Sequence, residues 1–357
     1  MSATGSLSLG RIGGIPVRVH WSVGLVAVLI GLNLAAAFGT VAGLVAVVAF
    51  FASILAHELG HAFVARRHGV GTESIQLWAL GGMARLDRES PTPRAEGLIA
   101  AAGPAVSLVI GAASVGAALA FESPVIAWLA GINLLLAVFN MLPGAPLDGG
   151  RVLRAWRWSR TGDRFRASRE AGNAGRVLGW SIGIVGLGLT LNGYNGIFLA
   201  IVGVFIAMSA RAEIMSSYFA ESLSGIKVRD LTWFGVAEAG DDVDADSMIW
   251  NRSRLGEAGG VARDADGDGV LDGVVLEDSL WAIPAEQRAL VMLNSLMVPF
   301  SQTAQASPDD DLSSVLPRLN PLRPIVTVWT DGKLSGMIPP ARLEERLASA
   351  QQAALGR

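Results

Sequence analysis

Long apolar runs dominate the first 215 residues of the chain. Four stretches lack Asp, Glu, Lys and Arg altogether, namely 19–57, 97–121, 123–147 and 177–210. A helix that crosses a bilayer needs about 20 apolar residues, so the first and last stretches each have room for two crossings. Glycine-containing breaks at FGT and NGYNG divide those two stretches. The pattern therefore predicts about six transmembrane helices, near residues 19–38, 41–65, 96–120, 124–142, 176–191 and 195–211.

The rest of the chain has the composition of a soluble domain. Over the whole sequence the mean hydropathy is +0.45 and only 17% of residues are charged, but beyond residue 215 charges are frequent and often acidic. We therefore expect a polytopic α-helical membrane domain at 1–215 and a soluble α/β domain at 216–357. The net charge of −3 gives no reason to expect nucleic acid as a partner.

Basic residues predict the orientation in the bilayer. The hairpin tips at 38–42, 121–125 and 191–196 contain no Lys or Arg, whereas the opposite connections hold the basic residues, including eight arginines from Arg151 to Arg176. Because connections rich in Lys and Arg stay in the cytoplasm, we expect both termini and the soluble domain to be cytoplasmic. The protein would be a multi-pass protein of the cell (plasma or inner) membrane.

The second predicted span contains the sequence His57-Glu58-Leu59-Gly60-His61. Residues four apart share one face of a helix, so both imidazoles can bind one ion. Glu58 projects about 60° from His61 around the axis and can reach a water without being a ligand. Ionisable side chains at membrane depth are costly, which favours a metal site over an incidental polar pair.

A catalytic zinc ion usually has three protein ligands, and the chain contains no cysteine. The best candidate for the third ligand is Asp148, in FNMLPGAPLDGGR near the cytoplasmic end of the fourth predicted span. Pro143 and Pro146 break that helix, which would let Asp148 turn toward the histidines. Asn140 offers a donor and an acceptor suited to a substrate peptide or a developing oxyanion. A simple Asp-Gly turn is the alternative explanation of this segment.

Together these residues resemble the site-2 protease family of intramembrane zinc metalloproteases. That family combines H-E-x-x-H in one span with N-x-x-P-x-x-x-x-D-G in a later one, and both patterns occur here. The resemblance implies one zinc ion bound by His57, His61 and Asp148. It implies Glu58 as the catalytic base and Asn140 as a residue that assists the substrate or the transition state.

Two further segments agree with this resemblance. AAGPAVSL at 101–108 is similar to the Gly-Pro motif of the family, although close helix packing explains small residues equally well. ESIQLWALGGMARL at 73–86 is similar to its membrane-associated β-hairpin. Gly81 and Gly82 in that hairpin are candidate substrate-binding residues, because an exposed strand edge can pair with an unwound substrate. An ordinary cytoplasmic hairpin is the alternative.

The soluble domain resembles a tandem CBS pair, which places the chain in the CBS-containing branch of the family. Two units each predict a lead-in strand, a helix, a hairpin with Asp-Gly at its turn and a closing helix. Such pairs often bind adenine nucleotides through Thr or Ser three residues before Asp. Here Val275 precedes Asp278 and Ile338 precedes Ala341, so a structural or homodimerising role is the alternative to nucleotide binding. We interpret DADGDGVLD at 264–272 as an acidic hairpin tip, not a calcium loop, since position twelve is Val275.

The leading hypothesis is an intramembrane zinc endopeptidase that cleaves single-span membrane proteins near the cytoplasmic leaflet. By analogy with the family, the substrate would be an anti-sigma factor or a membrane-tethered regulator, cleaved in regulated intramembrane proteolysis. A membrane metal transporter or metal sensor using the same ligands is the alternative. Transport would favour polar positions spread along a pathway, whereas here they cluster at one depth. A catalytically silent scaffold is a third hypothesis, which the intact Glu58 and Asp148 oppose.

Overall fold

The computed structural model describes residues 5–79, 81–232, 237–239, 260–263, 272–320, 323 and 325–356. The chain divides into two compact units, Met1–Ser217 and Tyr218–Arg357. The first unit is built from apolar helices with a small sheet, and the second from short strands and helices.

Over the described residues up to Leu223, the chain forms seven helices longer than ten residues. They are α1 (Ser22–Phe38), α2 (Thr40–Arg67), α3 (Pro93–Phe121), α4 (Pro124–Asn140), α5 (Asp148–Thr161), α6 (Arg164–Leu191) and α7 (Ile197–Leu223). Among the described residues, α2, α3, α6 and α7 are long and apolar enough to cross a membrane, while α1 and α4 have 17 residues each. The prediction of a multi-pass membrane protein is confirmed. The number of six crossings stays a prediction.

The proline-containing break at the end of the fourth predicted span separates two helices. Helix α4 ends at Asn140, and α5 begins at Asp148 after the segment that contains Pro143 and Pro146. Proline lacks an N–H and its ring clashes with the preceding turn, so α4 cannot continue through this segment. The sequence analysis did not predict α5, which carries Arg and Trp residues and is too polar to span a bilayer.

Four strands form a sheet in the first unit, in the order β1 (Ser6–Ile12), β2 (Ile15–His20), β3 (Thr72–Trp78) and β4 (Gly81–Leu86). Strands β3 and β4 form the predicted hairpin, and β4 lies at the edge of the sheet. Strand β2 pairs in parallel with β3 and antiparallel with β1. The β1–β2 hairpin was not predicted, although Gly13-Gly14 between two alternating strands is a recognised hairpin signal.

The sheet packs against helix α2 through an apolar cluster. Ile15, Ile75 and Leu77 of the sheet lie with Ile54 and Ala62 of α2 in this cluster, and all five side chains are buried. Ile54 and Ala62 flank the His57–His61 segment along the helix. The apolar contact therefore fixes the sheet beside the part of α2 that carries the polar residues.

In the second unit, a three-stranded sheet has the order β11 (Lys333–Ile338), β10 (Ile325–Thr330), β9 (Thr303–Ala306). Strands β10 and β11 form an antiparallel hairpin whose turn is Asp331-Gly332, as predicted, and both turn residues have positive φ. The helix Pro340–Leu355 follows, and Leu343 and Ala350 on it belong to the core that includes Val326 and Val328.

A second, four-stranded sheet is formed by β5 (Ala237–Ala239), β6 (Gly260–Arg263), β7 (Gly273–Leu276) and β8 (Val298–Pro299). Strands β6 and β7 are antiparallel, in agreement with the predicted hairpin of the first repeat. Its acidic tip, 264–271, lies outside the described residues.

Arg154 on α5 links four helices of the first unit. Its guanidinium donates to Glu96 on α3, with Nε 2.7 Å from Oε1, to Ser168 on α6 at 3.2 Å and to Glu213 on α7 at 3.2 Å. The Glu96 side chain is only 5% exposed. A buried carboxylate needs such a partner, because desolvation of an unpaired charge is costly. We infer that this ion pair stabilises the position of α5 relative to α3.

Replacing Arg154 with Met should destabilise the protein by about 3 kcal/mol, because the buried Glu96 carboxylate would lose its guanidinium. Arg157→Met is the matched control, since Arg157 lies on the same helix as Arg154 and pairs with Glu170 of α6, and both side chains of that pair are about 30% exposed. Its cost should be below about 1 kcal/mol. Reversible denaturation in mixed detergent micelles measures both free energies of unfolding, and equal losses would contradict the prediction.

Candidate metal centre

Helices α2 and α5 bring His57, His61 and Asp148 together. The Nε2 atoms of the two histidines are 3.2 Å apart, and Asp148 Oδ2 lies 3.2 Å from that of His57 and 3.3 Å from that of His61. Within the described part of the chain, this is the group of three His, Asp or Glu residues whose ligand atoms could bind one metal ion. All three predicted ligands therefore converge.

The spacing of these three atoms fits a tetrahedral zinc ion. Zinc bonds to His nitrogen and carboxylate oxygen measure about 2.0–2.1 Å, which in a tetrahedron places neighbouring ligand atoms about 3.3 Å apart. The observed separations of 3.2–3.3 Å match this value. Two imidazoles and one carboxylate are also a ligand set found in catalytic zinc sites, with the fourth position left for water or substrate.

Helix α3 orients both imidazole rings. His61 Nδ1 lies 2.6 Å from the carbonyl oxygen of Ile99, and His57 Nδ1 lies 3.0 Å from Ser107 Oγ. A carbonyl oxygen can only accept, so Nδ1 of His61 carries the proton and Nε2 keeps its lone pair for a metal. Such outer hydrogen bonds fix the tautomer and the orientation of a ligating histidine. The sequence analysis missed both roles, although Ser107 lies in the AAGPAVSL segment.

Gly103 on α3 leaves the space in which the ligand atoms meet. A Cβ atom at this position would collide with the Nε2 atoms of both His57 and His61. In the sequence this segment resembles the Gly-Pro motif of the family, and close helix packing is the alternative explanation of its small residues. The structure adds that one of them, Gly103, faces the Nε2 atoms of His57 and His61.

Glu58 lies beside the three ligands and faces the sheet. Its side chain is buried, and a Cβ atom added to Gly82 of β4 would collide with its carboxyl group. Gly82 therefore provides room for Glu58, a contact that the sequence analysis did not foresee. Gly81, the first residue of β4, has φ +132°, a conformation that favours glycine.

One cavity of about 590 Å³ joins these groups. The two histidines, Glu58, Asp148, Gly81 and Gly82 line it together with Asn140, the last residue of α4. The structure therefore brings every predicted site residue to a single cavity. Arg151, which the sequence analysis counted only among the cytoplasmic arginines, also lines it.

Gly103→Ala should abolish high-affinity zinc binding, because the added methyl group would occupy the space between the histidine nitrogens. Gly116→Ala on the same helix is the matched control, since a Cβ atom there would meet nothing within 4 Å. Metal analysis of the purified variants after dialysis against zinc provides the measurement. Equal zinc contents in the two variants would refute the assigned role of Gly103.

Comparison with known proteins supports the same chemistry. The model of peptidase family M50 matches residues 45–123 and 117–181, which contain all three predicted ligands. "Putative zinc metalloprotease Rip3" of Mycobacterium tuberculosis is 38% identical over 340 residues, which cover 89% of this chain and 86% of that protein.

Two solved structures are similar to parts of the chain. "Site-2 Protease from Methanocaldococcus jannaschii" is 32% identical, with a TM-score of 0.46, over 58% of this chain and 95% of that one. The "CBS domain of the bacterial CNNM/CorC family Mg2+ transporter" is 17% identical, with a TM-score of 0.28, over 47% of this chain and 93% of that one. The extent of the match to the mycobacterial relative and the family model show that the chain belongs to peptidase family M50, the site-2 protease family of intramembrane zinc metalloproteases.

Proposed function

We propose that this metalloprotease cleaves single-span membrane proteins close to the cytoplasmic leaflet, as a step in regulated intramembrane proteolysis. The observation that carries the proposal is the position of the site: His57, Glu58 and His61 are buried within a 28-residue apolar helix. A spanning helix bonds all its backbone groups internally, so the substrate must unwind locally before its scissile carbonyl is accessible. An anti-sigma factor or a membrane-tethered regulator is the proposed kind of substrate.

The residues divide the chemistry between them. His57, His61 and Asp148 would bind zinc, which when bound supplies a Lewis acid that polarises the scissile carbonyl and acidifies a water. Glu58 takes a proton from the attacking water and delivers it to the leaving amine. Asn140, the last residue of α4, would donate a hydrogen bond from its side-chain amide to a substrate carbonyl and hold the unwound peptide in the cavity.

Glu58→Gln should reduce cleavage by about 100–10,000-fold, because the amide cannot accept the proton of the water. Zinc content should be unchanged, since Glu58 is not among the three converging ligands. Comparative proteomics of membrane-protein fragments, in cells that carry wild-type or variant protein, measures the loss and identifies substrates.

Glu122→Gln is the matched control for that experiment, because Glu122 is an exposed residue at the α3–α4 connection. Its fragment pattern should equal that of the wild type. Fragments that persist in the Glu58→Gln strain would contradict the role of Glu58. If Glu58→Gln lost zinc as well as cleavage, the role of Glu58 would be structural and not catalytic.

Strand β4 is a suitable place for the unwound substrate to bind. It lies at the edge of its sheet, and Met83 on it is 47% exposed beside the cavity. An exposed edge offers unpaired backbone groups with which an extended peptide can form a further strand. Gly81 and Gly82, at the start of β4, would let the substrate backbone approach closely.

This binding mode can be tested by cross-linking, because the chain contains no native cysteine. A cysteine at Met83 should form a disulfide with single cysteines placed near the cleavage site of a substrate found by proteomics. A cysteine at Leu119 is the control, since that residue is even more exposed, at 77%, but lies near the far end of α3. Equal cross-linking at both positions would exclude pairing at β4.

The distribution of arginines supports an orientation with both termini in the cytoplasm. Arg154 and Arg157 lie on α5, the helix that begins with Asp148, and Arg164 is the first residue of α6. The connections α1–α2, α3–α4 and α6–α7 contain no basic residue. By the positive-inside rule the metal centre then lies near the cytoplasmic leaflet of the cell membrane.

For the second unit we propose a tandem CBS pair that regulates the protease. The repeated hairpins β6–β7 and β10–β11 support two similar halves. Neither half carries the Thr or Ser that adenine nucleotides usually require, so we favour homodimerisation over nucleotide binding. Calorimetry with ATP and AMP on the intact protein, beside measurement of its oligomeric state, distinguishes the two roles.

A further inference from the structure

Arg151 differs from the arginines that follow it on α5. Arg154 pairs with Glu96 and Arg157 pairs with Glu170, and neither of these arginines lines the cavity. Arg151 lines the cavity instead, one turn after Asp148, and is partly buried. Within the described part of the chain, its guanidinium has neither a hydrogen-bond partner nor an ion-pair partner. A partly buried charge without a partner is unfavourable, which indicates that a ligand supplies the partner.

The charges around the cavity favour an anion. Glu58 and Asp148 contribute two carboxylates, and these balance the double positive charge of a bound zinc ion. The histidines are neutral when they act as ligands. The charge of Arg151 is then left uncompensated. Without Arg151, the loaded site would be electrically neutral, so this side chain alone gives the cavity its surplus positive charge.

Hydrolysis of a peptide bond produces such an anion at this place. The oxygen of water forms a bond with the carbonyl carbon, the carbon–nitrogen bond breaks, and both protons of the water end on the amine nitrogen. The products are an ammonium group and a new C-terminal carboxylate, and negative charge already develops on the carbonyl oxygen in the transition state. A guanidinium binds a carboxylate through two parallel hydrogen bonds, which a lysine cannot reproduce.

We propose that Arg151 binds the new C-terminal carboxylate of the cleaved substrate, and the anionic oxygen that precedes it. This inference rests on the proposed peptidase function. Arg151 is thereby a catalytic residue that contacts the reacting group, in the same cavity that Asn140 lines. It also makes the cavity a receptor for peptides that end in a free carboxylate, so the N-terminal product inhibits the enzyme until it leaves.

The test compares two peptides that differ only at the C-terminus, acetyl-Leu-Leu-Leu and its carboxamide. Calorimetry with the zinc-loaded full-length protein in detergent should show that the wild type binds the carboxylate more tightly. Arg151→Gln should weaken binding of the carboxylate by about 10–100-fold, as expected for charge-assisted hydrogen bonds. The affinity for the carboxamide should not change, and Arg151→Lys should be intermediate.

Arg157→Gln is the matched control, because Arg157 lies on the same helix outside the residues that line the cavity. It should bind the carboxylate as the wild type does. Zinc content and melting temperature establish that each variant is folded and loaded. Arg151→Gln that binds the carboxylate with wild-type affinity would overturn the proposal, as would a wild type that does not distinguish the two peptides.

The two proposals fail separately. If fragments persist in the Glu58→Gln strain while carboxylate binding needs Arg151, the peptidase function is refuted and the anion-binding role of Arg151 remains. Cleavage that needs Glu58, together with carboxylate binding that is independent of Arg151, would refute only the role of Arg151.

Discussion

The structure depends on the meeting of three ligand atoms inside an apolar bundle. Two helices supply these atoms, α2 with His57 and His61 and α5 with Asp148. Asp148 follows His61 by 87 residues in the sequence, yet the three ligand atoms lie 3.2–3.3 Å from one another. Such a group would be strongly disfavoured at this depth without an ion, because buried polar groups need partners. The requirement to hold these atoms at zinc spacing explains most of the unusual features around them.

Helix α3 provides the support. It accepts a hydrogen bond from His61 at Ile99, contacts His57 through Ser107, and leaves a space at Gly103 between those two positions. One turn before Ile99, Glu96 binds Arg154 of α5, the helix that begins with Asp148. Helix α3 therefore contacts both helices that carry the candidate ligands, α2 through the histidines and α5 through Arg154. A rigid arrangement of this kind keeps a metal site within the narrow tolerances that catalysis requires.

Local sequence patterns determined a large part of this picture. The runs of apolar residues indicated the helices. Because His57 and His61 are four residues apart, they were expected on one face of a helix, with Glu58 beside them. Pro143 and Pro146 indicated that the chain turns before Asp148. These features depend on residues close to one another along the chain, which is why they are visible without a structure. The Gly13-Gly14 hairpin had a local signal as well, but the sequence analysis did not use it.

The sequence by itself determined the apolar helices, the three candidate zinc ligands and the candidate catalytic glutamate, since each rests on helical periodicity or on chemistry specific to the residue type. Only the tertiary structure decided that Gly103 clears the space for the ligands, that Gly82 makes room for Glu58, and that Arg151, unlike Arg154, enters the cavity without a partner. The neighbouring residues in the sequence do not tell whether a glycine clears space for another side chain, or whether an arginine forms an ion pair or lines a cavity. What distinguishes the roles is the neighbour brought close by folding, from a segment tens of residues away.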